Sequence, residues 1–236
     1  MPKDNVSLFE IFGPVMIGPS SSHTAGVARI AWLARKMFGG TPEKAIIRFY
    51  GSLAATWKGH GSADAVIAGL LGISPEDEDL FRGMEKLKEL QERGQGFIEE
   101  IIPMPDLPPS WHPNTVALEL SGGQGGMDRL ALRAASIGGG SICINEIDGY
   151  HVSLSGELEA AVILHRDEIG VIASISSIVA ANAINIAATT CHRQEKGEEA
   201  MLVVETDSPI PTTVIKEMSA LPSVYRVLHV PSLGGA

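Results

Sequence analysis

The last third of the chain alternates strand and helix patterns in an order that few folds accommodate. Apolar runs of strand length and two helical segments predict strand, helix, strand, strand, helix and strand over residues 157–232. This βαββαβ order is that of ferredoxin-like α+β folds. The predicted strands cover 158–165, 184–194, 199–206 and 224–230, and the predicted helices cover 169–182 and 212–221.

Residues 1–150 predict a separate, mixed α+β domain. Apolar side chains in steps of three and four predict a helix over 24–38, which Gly39-Gly40 ends. A buried strand is expected at 45–51, and residues 149–156 read as a short strand and linker. Further helices are predicted at 62–71 and 74–93. Short apolar runs between Pro- or Gly-rich turns are typical of an antiparallel sheet, and they lie at 97–102, 116–120, 129–135 and 141–147.

Charge and hydropathy exclude several classes of partner. The 28 acidic and 18 basic residues give a net charge of −10, which disfavours non-specific binding to nucleic acid or to anionic membrane. No apolar run reaches the roughly 18 residues that a membrane-spanning helix needs. The N-terminal stretch MPKDNVSLFE carries acids where a signal peptide would be basic. We therefore expect a cytoplasmic protein without a nucleic-acid or membrane partner.

The two cysteines limit the metal chemistry of the chain. Cys143 and Cys191 are far apart in sequence and form no C-x-x-C pattern. We expect them to be buried, reduced thiols. Two cysteines cannot supply a four-cysteine metal or cluster site, so no metal ligands are predicted in this chain.

A dense group of hydroxyl and imidazole side chains stands before the first predicted helix. The stretch GPSSSHT places three serines, His23 and Thr24 after the Gly18-Pro19 turn. One serine would suffice to cap a helix, and the free N–H groups of a helix start bind carboxylate or phosphate. We predict a pocket for a small anionic substrate, with an elaborate helix cap as the alternative. The predicted ligand-binding residues are Ser20, Ser21, Ser22 and Thr24.

Three further clusters are candidates for the same site. His60 lies between glycines in KGHGSAD, where an exposed imidazole can act as a general acid or base, the alternative being a turn histidine without a task. Asn114 in WHPNT offers a donor and an acceptor, although an ordinary Asx turn gives the same pattern. The loop SIGGG, residues 136–140, matches no nucleotide-binding fingerprint and reads as a glycine-rich turn that a ligand or partner could approach.

These motifs, in this order, resemble the β subunit of iron–sulfur-dependent L-serine dehydratases over nearly the whole chain. GPSSSHTAG and KGHG carry the resemblance most specifically, supported by LFEIFGPVMI, FYGSLAATW, HPNT and SIGGG. The family usually reads Gly-His-Gly-Thr-Asp at the second motif. This chain has Ser62 in place of the Thr and Ala63 in place of the Asp, with Asp64 one position later.

The resemblance implies a lyase that converts L-serine to pyruvate and ammonia. It implies a [4Fe-4S] cluster ligated by cysteines of a partner α subunit, whose exposed iron would take the serine hydroxyl as a Lewis acid. His60 or His23 would remove the α-proton, and the helix start at 20–24 would hold the substrate carboxylate. The resemblance adds three substrate-binding residues, which are Lys58, His112 and Asn114.

The C-terminal module resembles an ACT regulatory domain. Its turn HRDEIGV is similar to the effector-binding turn of the serine-binding ACT domain of phosphoglycerate dehydrogenase, with Asp167 and Ile169 replacing Asn and Pro. A carboxylate at 167 would repel an amino acid's carboxylate and attract its ammonium group. The resemblance implies an amino-acid effector, with dimerisation through paired sheets as the alternative role. The implied effector contacts are His165, Asp167, Gly170 and Asn185.

Two other functions compete with the enzyme-subunit hypothesis. A stand-alone amino-acid-sensing ACT protein would bind its ligand tightly without any partner. A scaffold that only docks and stabilises the catalytic chain would tolerate alanine at the 20–24 and His60 clusters.

Overall fold

The computed structural model describes residues 20–123 and 127–234, so the predicted Gly18-Pro19 turn lies outside the described residues. A π-helical turn at Ser21–Ala25 and a 3₁₀ turn at Glu78–Arg82 accompany the helices. The helices are α1 (Gly26–Phe38), α2 (Gly51–Thr56), α3 (Ser62–Leu71), α4 (Gly83–Glu92), α5 (Val171–Ala181) and α6 (Thr212–Ser219). The strands are β1 (Lys44–Tyr50), β2 (Ile98–Met104), β3 (Thr115–Ser121), β4 (Arg129–Gly138), β5 (Ser141–Ile147), β6 (Tyr150–Leu154), β7 (Glu159–Arg166), β8 (Ile186–Arg193), β9 (Glu199–Thr206) and β10 (Val224–Val230).

The first sheet has six strands in the order β2-β1-β3-β4-β5-β6. All its neighbours pair antiparallel except β1 and β2, which are parallel. The prediction of an antiparallel sheet is therefore wrong for β2. The chain passes through α2, α3 and α4 between β1 and β2, and a long helical connection of this kind brings a strand back in the same direction. The short strand predicted within 149–156 is β6, which extends this sheet at its edge.

Two of the predicted helices agree closely with the structure. Helix α3 spans the predicted residues, and Gly39 ends α1 in a left-handed conformation with a φ of 86°. The continuous helix predicted over 74–93 is wrong, because residues 78–82 form a 3₁₀ turn and α4 begins only at Gly83. A Cβ at Gly83 would lie 2.1 Å from the Asp64 carbonyl oxygen, so close packing on α3 fixes where α4 starts.

The second sheet confirms the predicted βαββαβ arrangement. Its order is β10-β7-β9-β8, with every pair antiparallel. Helices α5 and α6 cover one face and share a core with the sheet. That core includes Ala161, Ile163, Val171, Ile175, Val204 and Val214.

The opposite face of this second sheet packs against the first part of the chain. Successive strand residues point to opposite faces, so Ala160 and Val162 of β7 turn away from α5 and α6. They join one continuous core with Leu33 of α1 and with the first sheet. Helix α1 therefore lies between both sheets. Separate domains at 1–150 and 157–232 stay a prediction. No helix within residues 20–123 and 127–234 has the length and apolar character needed to cross a bilayer.

Candidate active site

Strand pairing brings three of the singled-out motifs to one end of the first sheet. Strand β3 runs antiparallel to β1, so Phe49 near the end of β1 pairs with Val116 near the start of β3. Strand β4 in turn pairs Ala135 with Thr115. The residues just beyond these pairs are Ser52, Asn114 and Ser136. The HPNT and SIGGG stretches therefore meet because of the sheet register.

His23 is hydrogen-bonded to two of these neighbours. Its Nε2 lies 3.1 Å from Asn114 Oδ1 and 3.2 Å from Ser52 Oγ. The Ser52 hydroxyl donates to Asn114 Oδ1, and the Ser52 N–H donates to the Pro113 carbonyl at 2.9 Å. Residues from the α1 start, the α2 start and the β3 start thus form one polar cluster.

The backbone of Ser136 sets the orientation of Asn114. Asn114 Nδ2 donates to the Ser136 carbonyl at 3.4 Å, and the Ser136 N–H donates to the Asn114 carbonyl at 3.0 Å. The amide oxygen Oδ1 therefore faces His23. An amide oxygen can only accept, so this network assigns the hydrogen to Nε2 of His23. In the neutral imidazole the basic lone pair is then on Nδ1.

The turn between α2 and α3 places His60 beside His23. The two imidazole centroids are 5.1 Å apart with the rings at 63°. Thr24 Oγ1 donates to the His60 carbonyl at 2.8 Å, which ties the turn to the α1 start. The expectation of an exposed His60 is wrong, because the residue is half-buried and its Nδ1 is buried, without a hydrogen-bond partner in the described part of the chain.

The three consecutive serines have different roles: Ser20 caps the helical segment, and Ser21 and Ser22 do not. Ser20 Oγ accepts from the His23 N–H at 3.0 Å, and the Ser20 carbonyl accepts from the Thr24 N–H at 3.1 Å. Ser20 is therefore the N-cap of the helical segment. Ser21 and Ser22 are half-buried residues in the π-helical turn that also contains His23, and Ser22 Oγ lies 3.5 Å from Ser20 Oγ. The capping interpretation thus holds for one serine of the three.

Three of the residues expected to bind substrate have other contacts. Thr24 is fully buried. Lys58 is exposed, with its Nζ 5.1 Å from the ring of Trp57. His112 Nδ1 accepts the Asn114 N–H at 3.1 Å, so this imidazole positions the amide residue. None of the three places a free polar group in the cluster around His23.

Sequence reasoning missed Ser52 as a member of the site, and it named the stretches that contain Ser136 and Ser62 without singling out these two serines. The sequence feature that could have pointed to Ser52 is the glycine before it. Gly51 has a φ of +54°, and a Cβ there would lie 2.6 Å from the Pro113 carbonyl oxygen. Among residues 20–123 and 127–234, Ser136 Oγ and Ser62 Oγ are buried without a hydrogen-bond partner, as is His60 Nδ1. Buried polar atoms in this condition are rare in folded proteins, and two of these three belong to residues in contact with the cluster, His60 and Ser136.

The structure also explains the role of Asp64, which lies one position after the place where the family has its Asp. Asp64 Oδ1 accepts from the Met84 N–H at 3.1 Å, so this carboxylate satisfies the start of α4. Ala63 is buried beside it. The carboxylate is used in packing α3 against α4, and it does not face the two histidines.

Neither cysteine takes part in this cluster. Cys143 lies half-buried on β5 and Cys191 is exposed on β8, both as free thiols. The expectation that both thiols are buried is therefore wrong. Within the described ranges, 20–123 and 127–234, no three His, Cys, Asp or Glu side chains group as metal ligands.

The predicted effector contacts fall at two ends of the second sheet. Asp167 accepts from the Gly197 N–H and from Arg193, both at 2.9 Å, and these contacts hold the pKa of its carboxyl below the usual range. Asn185 instead donates to Asp207. Arg193 is the last residue of the eight-residue strand β8, and Asn185 immediately precedes its first residue, Ile186, at the other end. At about 3.3 Å per residue, more than 20 Å separates these ends.

The remaining two effector residues lie at the Asp167 end. His165 is buried, and its Nδ1 donates to the Arg166 carbonyl at 2.7 Å. Gly170 precedes α5 with a φ of 96°. A small amino acid therefore cannot contact all four residues within one chain.

Comparison with known proteins agrees with this arrangement. The serine dehydratase beta chain family matches residues 7–147, and an ACT domain like that of the AHAS small subunit matches residues 162–226. The chain belongs to the serine dehydratase beta chain family. The resemblance stated from the motifs is thereby confirmed, together with the mixed α+β fold and the ACT-like C-terminus.

Individual relatives of this family match at different lengths. The probable L-serine dehydratase beta chain of Bacillus subtilis is 38% identical over 224 residues, covering 95% of this chain and 97% of the relative. The L-serine dehydratase beta chain of Peptoniphilus asaccharolyticus is 32% identical and covers 86% and 88% respectively. The L-serine dehydratase of Mycobacterium bovis is 34% identical over 61% of this chain but only 34% of its own length. That longer protein thus has a large additional part.

Proposed function

We propose that this chain is the β subunit of a cytoplasmic L-serine dehydratase, a lyase that forms pyruvate and ammonia from L-serine. One observation carries the proposal. The helix start at 20–24, the His60 turn, Asn114 and Ser136 come from four separate stretches and meet in one hydrogen-bonded cluster. Membership of the serine dehydratase beta chain family supports the substrate class.

His60 is the proposed base for the α-proton of serine. Hydrogen bonds from Nε2 to Asn114 and Ser52 hold the His23 ring in one orientation, whereas Nδ1 of His60 has no hydrogen-bond partner among the described residues, so His60 is the histidine with more freedom to turn toward a substrate. Thr24 fixes the His60 backbone, and the neighbouring His23 ring limits where the imidazole can turn. An imidazole has a pKa near neutrality and is suited to proton transfer. His23, held by Asn114 and Ser52, orients the substrate and His60.

Ser21 and Ser22 are the proposed contacts for the substrate carboxylate. Ser20 Oγ accepts the His23 N–H, whereas the Ser22 hydroxyl has only a long contact of 3.5 Å to Ser20 Oγ and can turn to a ligand, as can the Ser21 hydroxyl. They lie where the helical segment begins, and a helix start attracts anions through its N–H groups and its dipole. Losing one charge-assisted hydrogen bond costs about 1.5–3 kcal/mol. Ser21→Ala or Ser22→Ala should therefore lower kcat/KM by roughly ten- to a hundredfold.

A partner α subunit is proposed to carry the [4Fe-4S] cluster. The relatives named beta chain imply such a partner, and the mycobacterial protein combines this region with a much longer additional part. The residues of this chain do not fit a cluster, since Cys143 and Cys191 lie on different sheets. We therefore assign no cluster ligand and no step on iron to this chain. Purified anaerobically alone, it should bind no stoichiometric iron and should lack activity, and a cluster held by the isolated chain would contradict the shared site.

The ACT module is proposed to bind an amino-acid effector between two copies of the chain. His165, Asp167 and Gly170 of one copy would meet Asn185 of another, because these groups are too far apart within one chain. Sedimentation of the enzyme with and without L-serine tests this proposal. Asn185→Ala and Asp167→Ala should weaken effector binding equally, and an effect of only one of them would indicate a site within a single copy.

The decisive experiment for the function is His60→Ala in complex with the cognate α subunit. A general acid or base contributes about 10²–10⁴-fold, so kcat should fall by at least about a hundredfold while the complex still assembles. His192→Ala is the matched control, because this histidine is exposed on β8 in the other sheet and should keep full activity.

Two results would contradict the assignment. A loss in kcat of about tenfold or less for His60→Ala would remove His60 as the base and would leave His23 as the candidate. Full activity in His60→Ala, Ser21→Ala and Ser22→Ala together would favour a subunit that only docks and stabilises its partner.

A further inference from the structure

Two exposed apolar side chains flank the cluster around His23 and His60. Phe81 is 39% exposed and packs beside Gly61, where a Cβ would lie 3.7 Å from its ring. Ile137 is 53% exposed and follows Ser136, the residue that holds Asn114. The two side chains come from different elements, and each lies next to a residue adjoining the cluster.

A cleft continues from Ile137 along the open face of the first sheet. It has a volume of about 530 Å³, and Trp111, His112 and Cys143 are among its lining residues. His112 also accepts the Asn114 N–H, so the cleft and the catalytic cluster share a wall. A partner that reaches His60 and His23 from this side must also contact the cleft.

The charge in the cleft is already neutralised. Arg133 donates to Glu146 at 2.9 Å and stacks over Trp111, with its guanidinium carbon 4.2 Å from the ring centroid. Only 11% of the Arg133 side chain is exposed. Trp111, Ile137 and Val152 form the apolar part of the cleft, and polar side chains, among them Ser110 and Asn145, line the rest. This lining suits an apolar anchor side chain surrounded by polar contacts.

We infer that Phe81, Ile137 and the Trp111 cleft form the docking surface for the α subunit. This inference rests on the proposed function, in which the α subunit completes the site around His60. Single exposed apolar residues are common and need no explanation. Phe81 and Ile137 differ because each lies next to a residue of the site that the partner has to close: Phe81 lies beside Gly61, which follows His60, and Ile137 follows Ser136. The α subunit covers both side chains when the active site is assembled.

The chain supplies a matched control for this surface. Ile98 is 67% exposed at the first position of β2, and it pairs with Lys44 at the far end of β1 from Tyr50. Six residues of strand, or roughly 20 Å, separate that end of the sheet from the site. Ile98 is thus an exposed isoleucine on a strand of the same sheet as Ile137, but it lies far from the site.

The experiment measures the dissociation constant of the cognate α subunit for Ile137→Asn, Phe81→Asn and Ile98→Asn by calorimetric titration. Asparagine removes apolar surface without adding charge to an acidic chain. Residues at the centre of an interface typically lose more than tenfold in affinity on truncation. We expect at least about a tenfold rise in Kd for Ile137→Asn and Phe81→Asn and less than about threefold for Ile98→Asn. Excess α subunit should restore kcat in both variants.

Several outcomes would overturn the inference while the proposed function stands. They are a Kd within threefold of wild type for both variants, an equal loss in Ile98→Asn, or a change in self-association of the isolated chain. A fall in the melting temperature of the isolated Ile137→Asn or Phe81→Asn chain, beyond that of Ile98→Asn, would mean that the chain's own residues cover the surface. If wild-type chain and α subunit do not associate, or associate without turnover, the proposed function itself is wrong.

Discussion

Replacing Gly26 by alanine should lower the stability of the chain and displace residues of the site, because a side chain at this position would clash with Ser136. Gly26 opens α1, and a Cβ there would lie 1.9 Å from Ser136 Oγ and 2.7 Å from Ser136 Cβ. Rotating the Ser136 side chain moves its oxygen but not its Cβ. Helix α1 and strand β4 must therefore separate to admit the new methyl group. Ser136 binds Asn114 through both backbone groups, so this displacement reaches His23.

The size of the effect follows from two opposing contributions. Inserting a methylene into a close-packed contact costs about 1–3 kcal/mol, and a contact as short as this one belongs in the upper part of that range. Alanine has a higher helix propensity than glycine, which stabilises the folded chain by up to about 1 kcal/mol. A net loss of about 1–2 kcal/mol in the free energy of unfolding remains. For a chain of this length, that loss lowers the melting temperature by about 2–8 °C.

A double-mutant cycle on the isolated chain tests this contact. Ser136→Gly removes both clashing atoms and should remove most of the penalty of Gly26→Ala, whereas Ser136→Ala keeps the Cβ and should remove less. Gly59→Ala is the control, since its Cβ would have Thr56 O as nearest neighbour at 3.8 Å. A wild-type melting temperature for Gly26→Ala, or equal penalties in all three Ser136 backgrounds, would refute the steric argument.

Three further predictions concern single residues. Ser20→Ala should lower the free energy of unfolding by about 0.5–2 kcal/mol, measured by thermal denaturation, because it removes the cap on the His23 N–H. Gly51→Ala should destabilise the chain in the same assay, since φ is +54° and the Cβ would meet the Pro113 carbonyl, whereas an unchanged melting temperature would contradict it. Burial raises the pKa of Glu205, so its contribution to stability is present below the unfolded-state pKa and is lost as pH rises through the folded-state value. Glu205→Gln should therefore raise the melting temperature at pH 7 and have little effect near pH 4.

Long periodic patterns in this sequence predicted their elements well. The strand and helix order of the C-terminal module follows from local apolar spacing, and the end of helix α3 at Leu71 follows from Gly72. The incorrect predictions concern features that depend on contacts between residues far apart in sequence. The parallel pairing of β2 with β1 joins residues about fifty positions apart, and the late start of α4 is set by Gly83 against the Asp64 carbonyl. Helix α2 has six residues, too few to show a helical period.

The site was predictable as a set of motifs but not as a network. His23, His60 and Asn114 carry side chains whose chemistry is evident from the sequence. Ser52 and Ser136 are ordinary serines until their neighbours are known, and the hydrogen on His23 Nε2 is assigned only by the way Asn114 faces. The expected exposure of His60 failed because flanking glycines also let other parts of the chain come close, here the Thr24 hydroxyl.

The core of the first sheet is what holds this network in register. Val116, Leu118 and Leu120 are buried, while Ala117 and Glu119 between them are half-buried on the open face. Sliding β3 by one residue would turn Glu119 into the core and three apolar side chains outward, which the apolar packing forbids. The register that avoids this pairs Thr115 with Ala135, and so it brings Asn114 beside Ser136. Apolar residues without any chemical role thereby determine which atom of His23 carries its hydrogen.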